Sequence, residues 1–262
     1  MKLSISNIAW SKEYDEEMYA YLLNNKIEGI EIAPTRIIEE RPYDHIAKAD
    51  KFAKKLYNKY SLMISSMQSI WYGKKENIFN ESDIEELFCY TKKAIDFAEK
   101  INCKNLVFGC PKNRNNLENR SEKYAMEFFN MIGEYAKNKN IVVSIEPNPI
   151  IYGTNFINYT YQAINFVKKV NSDGIKVNLD FGTIIENKEN LKEIEKNIEL
   201  INHIHISEPN LEIIKKREEH KELARILKEK NYNKYISIEM KNFNDIDCVK
   251  DTIQYVKDTF NI

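Results

Sequence analysis

Four short stretches place a group able to hold a cation or move a proton straight after a run of apolar residues. They are SIEPNP with Glu146, NLDFGT with Asp180, HIHISEP with His205 and SIEM with Glu239. In NHIHISEP, residues 202–209, His203 and His205 lie two apart, so within a strand both point to one face. Three carboxylates brought together in a partly dry environment raise one another's energy. Either Lys or Arg side chains pair with them, or a divalent cation binds Glu146, Asp180, His205 and Glu239 together. The mixed set of three carboxylates and one imidazole suits Mn, Mg, Co or Zn and does not choose among them. One such metal ion is the expected cofactor.

The elements that must position these groups are legible as alternating patterns. Apolar, β-branched runs at 3–9, 29–34, 62–69, 105–111, 141–147, 175–182, 201–209 and 235–240 read as strands. Amphipathic helical patterns follow them: 13–26, 44–60 with Ile46, Phe52, Ala53 and Leu56 on the apolar face, 82–101, 121–139 opened by Ser121 as N-cap, 158–171, 190–201, 218–231 and 246–260. Eight such units without a linker or low-complexity boundary predict an α/β fold, a (β/α)8 TIM barrel filling residues 1–262 as a single domain. A doubly wound sheet is the rival, but no GxGxxG loop occurs among the seven glycines. In a barrel the active site lies at the C-terminal ends of the strands. Glu146, Asp180, His205 and Glu239 close four consecutive strands there.

Bulk properties narrow the function classes. The formal net charge is −1 across 262 residues, which argues against nucleic acid as a partner. No apolar run reaches the roughly 18 residues of a membrane span. The opening MKLSISNIAW is too polar for the core of a secretory signal. Cys89, Cys103, Cys110 and Cys248 show no CxxC spacing and are expected as free thiols in a reducing, cytoplasmic setting.

The set Glu146–Asp180–His205–Glu239 resembles the sugar phosphate isomerase/epimerase superfamily of xylose-isomerase-like TIM barrels, which includes ketose 3-epimerases and inosose dehydratase. GIEIAP, SSMQSIWYG, LVFGCPKNR, SIEPNPIIYGTNF and EEHKELARILKEKNYNKYISIEM carry the resemblance along most of the chain. It implies that the four residues ligate one metal ion and that Glu146 and Glu239 double as a catalytic acid/base pair. The implied function is isomerisation or epimerisation of a sugar, keto-sugar or sugar phosphate by proton abstraction next to a carbonyl, through an enediolate. A lyase or dehydratase of a keto-sugar or cyclitol on the same metal site is the alternative, and a sugar-binding barrel without chemistry is the third. A homodimer is implied by analogy with such barrels.

Three positions depart from the epimerase pattern. Thr183 stands where those enzymes usually carry histidine, Tyr152 where they carry glutamate, and Leu211 where they carry arginine. Tyr152 therefore joins the substrate-binding candidates in a changed role. Lys112 and Arg114 either anchor a substrate phosphate or carboxylate or sit in a solvated loop. Gln68 and Asn148 are placed to donate to sugar hydroxyls. Trp10 and Trp71 either face a sugar ring or pack between loop and helix. Glu208 is a pocket carboxylate or a rim charge, and His220 follows strand seven as a candidate for the mouth. His203 is expected to pack one layer below His205, and His45 to open a surface helix.

Overall fold

Eight parallel strands stand side by side in the order β1-β8-β7-β6-β5-β4-β3-β2, and a parallel bridge between Ser6 and Glu31 joins the first to the second. The sheet thus curls into a barrel. The strands are β1 (Lys2–Ile5), β2 (Gly29–Ile32), β3 (Met63–Met67), β4 (Asn105–Phe108), β5 (Val142–Ile145), β6 (Ile175–Asp180), β7 (Ile201–Ile206) and β8 (Tyr235–Ile238). This computed structural model describes residues 1–262.

The helices outside the barrel are α1 (Asp15–Asn24), α2 (Pro34–Ile37), α3 (Ile46–Tyr60), α4 (Ile84–Lys100), α5 (Glu122–Asn138), α6 (Thr160–Val170), α7 (Phe181–Asn187), α8 (Lys192–Lys196), α9 (Glu218–Glu229) and α10 (Ile246–Phe260). Ser121 caps α5 as expected, accepting from the Lys123 N–H at 3.3 Å. No helix is long and apolar enough to cross a membrane. All four cysteines are free.

Period-2 alternation separates two populations of side chains. Leu3, Ile5, Ile30, Ile32, Leu106, Phe108, Val143, Ile145, Val177, Leu179, Ile204, Ile206, Ile236 and Ile238 are buried against the helices. The alternate residues face the lumen. Registered pairs Ser4↔Ser237, His205↔Ser237, His203↔Asn178 and His205↔Asp180 identify that face. Barrels of this class usually fill the lumen with branched apolar residues. Here Ser4, Asn105, Ser144, Asn178, His203 and Ser237 are buried in its middle. They bond one another: Asn105 Nδ2 donates to Ser66 Oγ at 2.9 Å, and Ser144 Oγ to Asn105 Oδ1 at 2.5 Å.

Two close approaches rest on glycine. A Cβ on Gly174 would lie 2.0 Å from the Gly133 carbonyl oxygen, so α5 meets the start of β6 backbone to backbone. A Cβ on Gly29 would lie 2.6 Å from the Tyr235 ring, which fills the bottom of the lumen beside it.

Several boundaries differ from the sequence expectation. Every strand stops two to four residues short of its apolar run, because the chain leaves the ladder to build the mouth. The helix expected at 190–201 is broken into the short α8 and a 3-10 turn over Ile198–Leu200, and an unexpected helix, α7, starts directly after Asp180. Asp180 causes this: its carboxylate accepts from the Thr183 N–H at 2.7 Å and caps α7. On α3 the buried residues are Ala49, Leu56 and Tyr60, whereas Ile46 is 37% exposed.

Candidate metal centre and pocket

Glu146 and Glu239 immediately follow β5 and β8, yet their N–H groups still bond the neighbouring strands, to Phe108 O and Ile206 O, each at 3.0 Å. Asp180 ends β6 and His205 is the penultimate residue of β7. The ladder therefore holds all four at one height. One donor atom from each lies within 4.8 Å of all the others.

His205 is at the centre. Its Nδ1 lies 2.9 Å from Glu146 Oε1 and 3.1 Å from Glu239 Oε2. Its Nε2 lies 3.0 Å from Glu31 Oε2, and His203 Nε2 approaches the same oxygen at 3.0 Å. His203 thus sits one layer below, as expected. Glu31 was not singled out from the sequence; the available signal was an acid inside the apolar run GIEIAP.

Amides and hydroxyls hold the carboxylates. Asn178 Nδ2 donates to Glu146 Oε1 at 2.7 Å. Ser207 Oγ donates to Asp180 Oδ1, and Thr183 Oγ1 lies 2.7 Å from Asp180 Oδ2. Thr183, which replaces the histidine of the epimerase pattern, is therefore a support for Asp180. With its amide nitrogen turned toward its acceptor neighbours, Gln68 donates to Glu31 Oε1 at 2.8 Å and Glu239 Oε1 at 3.0 Å.

The electrostatics show what this arrangement lacks. Burial raises Glu239 to about 7, and burial with Glu146 nearby raises Asp180. Burial works against a charged His205, but Glu239 and Glu31 hold its pKa well above the usual imidazole value. No Lys or Arg comes within 4.0 Å of Glu31, Glu146, Asp180 or Glu239; His205 is the cationic partner there, while burial lowers the pKa of His203. One Nδ1 proton cannot serve Glu146 and Glu239 equally. A divalent cation fits in its place: three hard carboxylates and Nδ1 face it, and Nε2–H donates to Glu31, the usual support behind a metal-bound imidazole.

Above the acids lies a cavity of about 190 Å³ whose lining includes Gln68, Asn148, Tyr152, Glu208 and Leu211. The structure thus brings the sequence candidates Gln68, Asn148, Tyr152 and Glu208 to the acids, with Leu211 beside them. Asn148 Nδ2 donates to Glu146 Oε2 at 3.2 Å. Tyr152 OH accepts from the Asn210 N–H at 2.8 Å, which ties the loop after β5 to the loop after β7. Glu208 is clamped by Arg217, whose Nε donates to Oε1 at 2.7 Å. That pairing outweighs burial and keeps Glu208 below the ordinary carboxylate range.

Five candidates are not in this lining. Trp10 is buried and donates its indole N–H to Asp15 Oδ1 at 3.0 Å. Trp71 is buried under β4, with its N–H on Thr91 Oγ1 at 2.8 Å and its ring edge-on to Phe108 at 4.8 Å. Lys112 points into solvent. Arg114 is 0% exposed, facing Phe108, with Nη2 donating to Asn148 Oδ1 at 2.8 Å, and burial lowers it to about 10. It reaches the site only through Asn148. His220 lies in the first turn of α9, its Nδ1 2.9 Å from Tyr255 OH and its ring 4.5 Å from that of Phe181. Burial lowers it to about 4.

The comparisons agree with this architecture. The chain has no match among curated protein sequences. Its fold is similar to that of the 3-keto-D-glucoside 4-epimerase YcjR from E. coli, with a TM-score of 0.77 at 17% identity, covering 100% of both chains. It is similar also to D-psicose 3-epimerase from Clostridium cellulolyticum H10, with a TM-score of 0.81 at 14% identity, covering 100% of this chain and 98% of that one. The IOLI protein, solved with a binding zinc atom, gives a TM-score of 0.73 at 17% identity over 99% of this chain and 96% of that one. The family model described as xylose isomerase-like TIM barrel matches residues 21–259, and the chain belongs to that family.

Proposed function

We propose that the protein is a divalent-metal-dependent isomerase or epimerase of an uncharged sugar or keto-sugar, acting by removal of a proton next to a carbonyl. The observation that carries this is the convergence of Glu146, Asp180, His205 and Glu239 on one point with no Lys or Arg among them. The epimerases among the similar folds act on sugars, which agrees. Bound there, a divalent cation supplies electrophilic stabilisation to the substrate oxygens next to the reacting carbon. Glu146 and Glu239 approach from β5 and β8, three strand positions apart. One carboxylate takes the carbon-bound proton. Return of a proton by the other to the opposite face inverts the centre, and return to the neighbouring carbon moves the carbonyl.

The pocket supports an uncharged substrate. Its lining contains no Lys or Arg: Lys112 is in solvent, Arg114 lies behind Asn148, and Arg217 is held by Glu208. A phosphate would meet Glu146, Asp180, Glu208 and Glu239 with no side-chain cation to balance it. Beyond the acid/base pair, no separate acid stands ready for a departing hydroxyl: Glu208 is kept ionised by Arg217, and His220 lies outside the cavity. This favours isomerisation over dehydration.

Elemental analysis of the purified protein should find about one divalent ion per chain, lost in His205→Ala. Metal-saturated protein in D2O should then place deuterium next to the carbonyl of a ketohexose, and Glu146→Gln or Glu239→Gln should cut that exchange at least about 100-fold. Exchange undiminished in both variants would sink the proposal.

A further inference from the structure

The lumen carries opposite charge at its two ends. Lys2 is registered with Tyr235, and Lys176 with Ser144, so both lie on the face that holds the acids at the other mouth. Lys104 and Lys234 immediately precede β4 and β8. At this N-terminal end lies a cavity of about 380 Å³. Its floor includes the buried polar residues Ser65, Asn105 and His203, and Lys2, Lys104 and Lys234 stand on its walls.

Of these cations only Lys2 has a counter-charge. Lys2 pairs with Glu28 at 3.3 Å, but both side chains are half exposed. No carboxylate comes within 4.0 Å of Lys104, Lys176 or Lys234, whereas Lys55 and Lys169 on the outer helices are paired. Lys234 Nζ donates to Ile201 O and Asn202 Oδ1, both at 3.0 Å, which leaves one N–H free. Burial and neighbouring Lys176 both lower its pKa, so positive charge is crowded there. The acids of the other mouth form no ion pair with it: Asp180 is four residues along the strand from Lys176, roughly 13 Å away.

We propose that this end of the barrel is a second ligand site, for the phosphate monoester of a small hydroxylated molecule. The ammonium groups meet the phosphate oxygens as point charges; Asn105, Asn202 and Ser65 are already bonded within the lumen, and the second amide hydrogen of each asparagine is what remains for the ligand's hydroxyls. The cavity at the opposite mouth is lined by carboxylates without a Lys or Arg, so the two sites select different ligands.

Calorimetric titration of the full chain with glucose 6-phosphate in 0.1 M KCl (roughly one Debye length of 10 Å) tests this. Saturable binding at one site per chain is expected. Lys104→Gln and Lys234→Gln should each weaken it about tenfold, the loss of one charge-assisted contact. Glu146→Gln should leave it unchanged. Lys104 is exposed, so its variant keeps the test valid if Lys234→Gln fails to fold. No saturable binding, an unchanged affinity in Lys104→Gln, or a loss in Glu146→Gln would each overturn the proposal.

Discussion

Glu31 Oε2 lies 3.0 Å from His205 Nε2, and this contact decides which imidazole nitrogen meets the other acids. With Nε2–H committed to Glu31, Nδ1 is the nitrogen that faces Glu146 and Glu239 and that would exchange its proton for a cation there. Glu31→Gln keeps the shape and removes the charge. It should weaken Mn²⁺ binding about 10- to 100-fold, as loss of a partner behind a metal-bound histidine does. Calorimetry with Mn²⁺ measures this, and an affinity equal to wild type would refute the role given to Glu31.

Gly109 leaves space for Glu146. A Cβ at this position would sit 2.6 Å from Glu146 Oε2. The flexible carboxylate would swing away, so Gly109→Ala should lower metal affinity while changing stability by less than about 1 kcal/mol. Urea denaturation beside metal titration separates the two effects. A large stability loss with intact metal binding would contradict it.

His220 makes stability depend on pH. Its folded pKa is about 4 against 6.5 for the free side chain. Below pH 6.5 the unfolded chain takes up a proton that the folded chain does not, so stability present above 6.5 is lost as pH falls toward 4. The integrated loss is about 3 kcal/mol. His220→Gln should lack this component. Unfolding free energies of both proteins at pH 7 and pH 4 give the difference, and parallel losses would show that His220 is not its source.

Arg217 and Glu208 hold the loop over the pocket. Glu208 is 2% exposed, and it also accepts from the Lys215 N–H at 3.1 Å. Arg217→Met leaves that carboxylate without its cation and should cost about 2–3 kcal/mol. Adding Glu208→Gln should recover part of the loss, with a coupling above about 1 kcal/mol in a double-mutant cycle. Hydrogen exchange at the Lys215 and Asn210 amides should quicken in the single variant. Additive effects would mean that the pair does not organise the loop.

The eight strands were legible because each shell-facing residue is apolar or β-branched, and four of the acids and bases stood out because they interrupt that pattern at its end. Glu31 interrupts it in the middle of a strand, where an acid reads as an anomaly until its partners across the lumen are known. The helix after β6 was misplaced because Asp180 serves as N-cap as well as site carboxylate, and the second role hid the first. Trp10 and Trp71 follow strands as mouth residues do. Only the folded positions of Asp15 and Thr91 reveal that both indole N–H groups are already bonded.

The polar lumen has a consequence for how this chain can change. Along each strand, alternate letters are written in two alphabets: an apolar one read by the helices, and one of hydroxyls, amides, imidazoles and carboxylates read across the axis. Substitutions confined to the second alphabet leave the helix–sheet packing untouched. The scaffold can thus be given new chemistry one lumen position at a time, without first being redesigned to fold.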